Sequence, residues 1–191
     1  MKSSVTTKVV LGVLVVLMAV SVANAVTINV PGDYSTVVDA VKAANTGDEI
    51  IVAENTYVES ETIRFATPGV TLTGSGNVTL RTLDSNQAVI QLAGFVTGIV
   101  LNNLTVDRPT CNDSWMRCIN MDNSASATIN DCTLAGPANG VGLILFWGSD
   151  ATLNRCHFSN FNPAASWSAA IFMQNHSPTS PYTDLIVDSC T

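Results

Sequence analysis

Leu101-Asn102-Asn103-Leu104-Thr105-Val106, Ile129-Asn130-Asp131-Cys132-Thr133-Leu134 and Leu153-Asn154-Arg155-Cys156-His157-Phe158 share one pattern. Val187-Asp188-Ser189-Cys190-Thr191 begins a fourth copy. Each reads apolar, Asn or Asp, polar, apolar, polar, apolar. The copies begin at Leu101, Ile129, Leu153 and Val187, so the interval between them is fairly regular. Strand-like alternation recurring at such a period is the signature of a stacked solenoid. Leu72 precedes Leu101 by a similar interval, so the ladder is expected to start there.

Working outward, the intervals fill with short strands. Thr62-Ile63-Arg64-Phe65, Val70-Thr71-Leu72 and Val78-Thr79-Leu80 precede Ala88-Val89-Ile90-Gln91-Leu92 and Ile99-Val100-Leu101. Cys118-Ile119-Asn120-Met121, Val141 to Phe146 and Ala170-Ile171-Phe172-Met173 follow. No helical periodicity occurs after Ser60. Each rung is therefore a coil of strands, pairing in parallel with the next. Earlier in the chain, Val37, Ala40, Val41 and Ala44 recur at helical spacing. This predicts an amphipathic helix over 36–44, capped by Ser35, that covers the open end of the first rung. The organisation expected is a signal peptide over 1–25, a strand, cap helix and first rung over 26–60, and rungs over 61–191. Thr191 stops inside a ladder segment, so a longer parent chain is expected.

The segment from Met1 to Ala25 reads as an address. Lys2 and Lys8 precede the apolar run Val9 to Val22, and Ala23-Asn24-Ala25 is a small-x-small cleavage site. The run is shorter than the ~20 residues that span a bilayer. A secreted or cell-surface location follows, with no membrane partner after cleavage, and the style of signal and repeat is bacterial. Loss of Lys2 and Lys8 changes the net charge from −7 to −9. No basic run remains to meet phosphates, which argues against nucleic acid.

Of five cysteines, Cys132, Cys156 and Cys190 fall at the ladder position held by Leu104 in an earlier copy. They are expected to be free, buried thiols stacked as small hydrophobes. Cys111 and Cys118 flank a polar loop, and export makes a disulfide between them a candidate. No metal site is expected, since neither the cysteines nor the two histidines fit a zinc ligand set. Asp107 and Asp113 could hold calcium but do not make a recognisable calcium loop, so no cofactor is expected on a motif, with calcium the candidate left open.

The opening Val30-Pro31-Gly32-Asp33-Tyr34-Ser35-Thr36, then Gly47-Asp48-Glu49-Ile50-Ile51-Val52 and Thr56-Tyr57-Val58-Glu59, resembles the start of pectin-lyase-like right-handed parallel β-helix proteins. It is particularly similar to that of pectin methylesterases. The rung Ile129 to Leu134 resembles the superfamily's repeat. The resemblance implies an all-β, right-handed parallel β-helix with a short N-terminal amphipathic helix cap. It further implies an exported protein that binds or processes an acidic polysaccharide. The alternative is a non-catalytic, adhesive cell-surface repeat protein. The catalytic signatures of the pectin methylesterases, polygalacturonases and pectate lyases do not occur in the sequence.

Candidate contacts for an acidic sugar come from the repeat register. Asp131 and Arg155 hold equivalent positions in adjacent rungs, about one strand spacing (~4.8 Å) apart. His157 should point outward above Thr133. The alternative is a cross-rung surface ion pair. The Asn102, Asn130, Asn154 and Asp188 line is expected to be a structural side-chain ladder. Two intervals carry insertions, which in solenoids cluster on one face. They hold Trp115 and Trp167, either of which could stack on a sugar ring or cover a strand edge.

Overall fold

The structure, a computed structural model, describes residues 25–83, 88–92, 94–109, 116–136, 140–162, 168–174 and 182–191. The signal-peptide reading falls on 1–24 and lies outside them, apart from Ala25. The strands are β1 (Thr27–Val30), β2 (Glu49–Glu59), β3 (Ile63–Phe65), β4 (Thr71–Thr82), β5 (Ile90–Leu92), β6 (Ile99–Asn102), β7 (Thr105–Asp107) and β8 (Arg117–Met121). They continue as β9 (Ser126–Asn130), β10 (Thr133–Ala135), β11 (Val141–Phe146), β12 (Asp150–Asn154), β13 (His157–Ser159), β14 (Ala169–Gln174) and β15 (Leu185–Asp188). Among the described residues every strand pairing is parallel. The chain winds as a solenoid with three faces. Sheet I is β3-β5-β8-β11-β14. Sheet II is β1, the first half of β2, the first half of β4, then β6-β9-β12-β15. Sheet III is the second halves of β2 and β4, then β7-β10-β13.

The register follows the sequence repeat. Leu72 pairs with Leu101, Leu101 with Ile129, Ile129 with Leu153, and Leu153 with Val187. Leu72, Leu101, Ile129 and Leu153 are fully buried. Each such side chain contributes roughly 1.5–3 kcal/mol by leaving water. The alternating strands send the other set of residues outward, because successive side chains of a strand point to opposite faces.

The corner between sheets II and III changes character along the stack. In the first two rungs the strand runs round it unbroken, with a register shift between Ala53 and Asn55 in β2. Later rungs break it with a two-residue bend whose first residue is left-handed: Asn103 (φ 52°), Asp131 (53°), Arg155 (53°) and Ser189 (53°). The second bend residue turns inward, as Leu104, Cys132, Cys156 and Cys190. The thiols are free. Cys132 donates to the Asn130 carbonyl at 3.2 Å and Cys156 to the Ile129 carbonyl at 3.3 Å. Burial pushes the Cys132 thiol up to about 12 and also raises that of Cys156. Both therefore stay protonated and unreactive. Close approach at this corner also fixes Gly74, where an added Cβ would sit 2.2 Å from the Asn103 carbonyl oxygen.

The cap helix is α1 (Val37–Ala43), and its N-cap is Thr36 rather than the expected Ser35. Thr36 is extended and its hydroxyl accepts from the Asp39 amide at 3.1 Å. The buried Glu59 carboxylate from the end of β2 accepts from the Val37 amide at 2.9 Å. It satisfies an orphan donor of the first turn and faces the positive end of the helix. Val37, Val38, Ala40 and Val41 close the core. Asp48 ties the entry strand down, accepting from the Asn45 amide at 2.8 Å and the Val26 amide at 2.9 Å. Those two amides, Asn45 first, hold its carboxyl below the usual carboxylate range.

A carboxyl depressed on folding stabilises the native state above its unfolded value, about 3.9, and loses that contribution as pH falls through the folded value. This group's contribution to the melting temperature should therefore be lost on acidification below about pH 4. In Asp48→Asn the melting temperature should be lower at neutral pH and flatter across that acid limb, as read by thermal melts from pH 7 downward.

Candidate functional site

After the first two rungs, variation in connection length falls at the two edges of sheet I. The bend from sheet II to sheet III is two residues in each of the three rungs that have a strand on both sides of it. The connections from sheet III to sheet I are 60–62, 83–89, 108–116, 136–140 and 160–168. Those from sheet I to sheet II are 66–70, 93–98, 122–125, 147–149 and 175–184. Trp115 and Trp167 fall in two of the former and lie outside the described residues, as do Cys111 and Asp113. Cys118, the other half of the candidate disulfide, is a free thiol. It is buried and donates to the Ala135 carbonyl at 3.5 Å. It lies on β8, between Arg117 and Ile119.

Sheet I carries an outward row of paired residues: Arg64, Gln91, Asn120, Ile144 and Phe172. Arg64 is exposed, whereas Asn120 is 2 % exposed although it faces away from the core. The amide group of Asn120 donates to Asp122 at 3.1 Å, and that of Asn123 donates to the other oxygen of the same carboxylate at 3.1 Å. Asp122 thus orients both amides. The carbonyl oxygens of Asn120 and Gln91 are buried without a hydrogen-bond partner. An unsatisfied buried acceptor costs about 1–3 kcal/mol, so two on one face are a feature to explain.

The corner from sheet I to sheet II adds aromatic rings. Phe95 (φ 67°), Asn123 (54°) and Trp147 (50°) all adopt the left-handed conformation. Each rung here has two left-handed residues in succession, Gly94-Phe95, Asn123-Ser124 and Trp147-Gly148. The Phe95 amide donates to the Asn123 carbonyl and the Ser124 amide to the Trp147 carbonyl, both at 3.0 Å, so Phe95 aligns with Ser124 and Gly148, and Trp147 with Asn123. Phe95 is 73 % exposed and Trp147 40 %. Left-handed backbone costs a bulky L-residue roughly 1–2 kcal/mol, and the largely exposed Phe95 recovers little of that through burial. Phe146 leans on Trp147 with ring centroids 5.8 Å apart, and Phe172 meets Phe146 edge-on at 6.0 Å. These contacts fix the direction of the indole. The sequence pattern does not single out Trp147 or Phe95. Gly94 and Gly148, each beside one of the rings and itself left-handed, are the available turn signals.

A family model for the right-handed beta helix region matches residues 28–191. The chain belongs to the right-handed β-helix family. No curated protein and no solved structure matches it.

In this β-helix the expected polar cluster does form, but at the corner between sheets II and III, which does not border sheet I. Arg155 grips Asp131 with two bonds, Nε to Oδ1 and Nη2 to Oδ2, both 2.7 Å. The pair holds the Asp131 carboxyl below and the Arg155 guanidinium above their ordinary values. His157 lies beside Thr133 on sheet III and faces outward, with Nδ1 2.9 Å from the Thr191 hydroxyl. Asp107, the described half of the calcium candidate, is held instead by Arg81 Nε at 2.8 Å. Among the described residues no group of three His, Cys, Asp or Glu side chains could hold a metal. The outward face of sheet II bears a shallow depression of about 260 Å³ beside Thr128, Thr152, Asp150 and Asp184. There the Asp150 carboxylate accepts from the Asp184 amide at 2.9 Å.

Both partners of the Asp131–Arg155 pair are half exposed, so water screens it. Such pairs add little to stability. Arg155→Met should therefore leave the midpoint of urea denaturation nearly unchanged. A marked fall in that midpoint would mean that the pair pins the corner.

Proposed function

We propose that this chain is an exported β-helix protein that binds a polysaccharide at the borders of sheet I, foremost the corner leading to sheet II, without turning it over. The observation that carries this reading is the confinement of the long connections to the edges of that one sheet. Per-repeat insertions in a solenoid gather on the binding face. The groups at that face suit a sugar chain. Arg64 and the partly exposed Gln91 stand on the outward row, and Phe95 and Trp147 present apolar ring surface at the corner.

Export rests on the signal-peptide pattern from Met1 to Ala25. Binding without catalysis rests on how the charged groups are engaged. Arg155 and Asp131 neutralise each other, Arg81 holds Asp107, and Asp122 accepts two amides. An acid or base for sugar chemistry needs its proton-transfer atom free to meet substrate. The outward row contributes one cation, Arg64, against a chain of net charge −9 once Lys2 and Lys8 are removed. That balance favours a neutral or weakly charged glycan over the uronate-rich one that the family resemblance implied. Attachment to a wall or matrix polysaccharide is the biological role this fits.

Depletion of the secreted chain by a panel of insoluble and immobilised polysaccharides, neutral and uronate-rich, tests the proposal. At least one should remove it from solution, with little loss of binding between 50 and about 500 mM salt, since neutral ligands release no counterions. No reducing ends and no unsaturated products should appear. Failure to bind any member of the panel would contradict the reading, and product release would replace it with an enzymatic one.

A further inference from the structure

We propose that the depression at the start of the sheet II strands is a subsite for one neutral sugar residue, whose hydroxyls donate to Asp150 and Asp184 and accept from Ser126, Thr128 and Thr152. This rests on the polysaccharide-binding reading above and names the ligand class and the residues that grip it.

The strand register builds the site. Ala127 pairs with Ala151 and Ala151 with Leu185, so the residues before them, Ser126, Asp150 and Asp184, form one row across three rungs. Thr128 pairs with Thr152 in a second row two positions on. Side chains two positions apart share a face of the strand, and members of a row lie ~4.8 Å apart. Gly98 continues the first row without a side chain, since Ile99 pairs with Ala127. These rows border a concave space of about 260 Å³. That is smaller than the roughly 300–1,000 Å³ of sites that enclose a drug-sized ligand, and it suits a single sugar residue. Ser126 and Asp150 begin their strands and Asp184 precedes one, so the depression lies at the corner leading from sheet I.

The polar groups that line it keep most of their bonding capacity. Asp150 Oδ1 accepts from the Asp184 amide at 2.9 Å, and the Ser126 hydroxyl accepts from the Gly98 amide at 3.0 Å, which leaves its own proton to donate. Among the described residues, Asp150 Oδ2, the Asp184 carboxylate and the Thr128 and Thr152 hydroxyls meet no partner, and neither carboxylate joins an ion pair. Two carboxylates side by side on neighbouring strands repel, so donors from a ligand are favoured between them. Sugar hydroxyls supply those donors in charge-assisted bonds, and their oxygens accept from Ser126, Thr128 and Thr152. An ammonium donates only and offers the three hydroxyls no acceptor. A uronate would bring a third carboxylate against the pair. Among the described residues no third acidic, Cys or His side chain joins the two to hold a metal ion.

Cello-, manno-, xylo- and galacto-oligosaccharides, with chitosan and polygalacturonate fragments beside them, are the probes in calorimetric titrations. At least one neutral series should bind wild type, and Asp150→Ala and Asp184→Ala should each weaken it about tenfold. Thr152→Val should weaken it less. Asp184→Asn should weaken binding while melting at the same or a higher temperature, because it removes a like charge and no protein contact. A lower melting temperature in that variant would assign the carboxylate to stability and overturn its role as a ligand group. Unchanged affinity in the alanine variants would overturn the subsite and leave the broader polysaccharide reading standing. So would salt-sensitive binding confined to chitosan fragments, or binding confined to polygalacturonate. Binding to no polysaccharide would remove both.

Discussion

Asn130 donates its amide to Asn102 at 2.8 Å and accepts from Asn154 at 2.7 Å. Asn102 in turn donates to the Thr73 hydroxyl at 3.2 Å. This chain of side-chain bonds runs along the corner of sheets II and III, one link per rung. An amide can both donate and accept, so the line propagates in one direction. Asp188, the next member in register, has no amide donor and cannot extend it. Immediately after each Asn comes a left-handed residue, then an inward Leu or Cys. Position, bend and core contact are thus locked together within one short segment. A slip of one position would send the inward set to solvent, so the corner fixes the register of both sheets it joins.

With that corner constrained, the rest of each rung is free to vary where it borders sheet I. Connections of very different lengths leave and enter there, and the left-handed residues Phe95, Asn123, Ser124 and Trp147 stand on one of those edges. The solenoid therefore divides its labour by face. The corner of sheets II and III holds the stack, and sheet I with its borders presents chemistry. The asparagine line, the buried thiols and the Glu59 helix contact belong to the first task. Gln91, Asn120, Asn123, Phe95 and Trp147 belong to the second.

The holding part is legible in the sequence because it repeats. Every rung needs an apolar residue, an Asn and an inward small hydrophobe at the same places, so Leu101, Ile129 and Leu153 align and their pairing can be read off. Asn103 and Asp131 even belong to residue types that tolerate left-handed backbone. Arg155 and Ser189 do not advertise it, and their conformation follows from stacking on their neighbours. The unbroken β2 and β4 each read locally as two strands, since Asn55 and Gly74-Ser75-Gly76 look like turns. Ser35 and Thr36 both carry a hydroxyl, so the sequence places the helix cap one position early. The presenting part is largely illegible, because it does not repeat. Trp147 follows an apolar strand and reads as its end, and Phe95 sits in a glycine-flanked loop. Their left-handed backbone leaves no trace at fixed sequence spacing. Arg155 and His157 draw attention because they lie in the repeat, where the structure engages them with Asp131 and the Thr191 hydroxyl.

The most direct measurement is an NMR titration of the labelled chain with soluble fragments of a polysaccharide that depletes it, following signals from the borders of sheet I, Phe95 and Trp147 among them, and from the corner of sheets II and III. The account predicts that the former move and saturate at one affinity, while His157 stays still. Shifts centred on His157 and Arg155, with Trp147 unmoved, would contradict it.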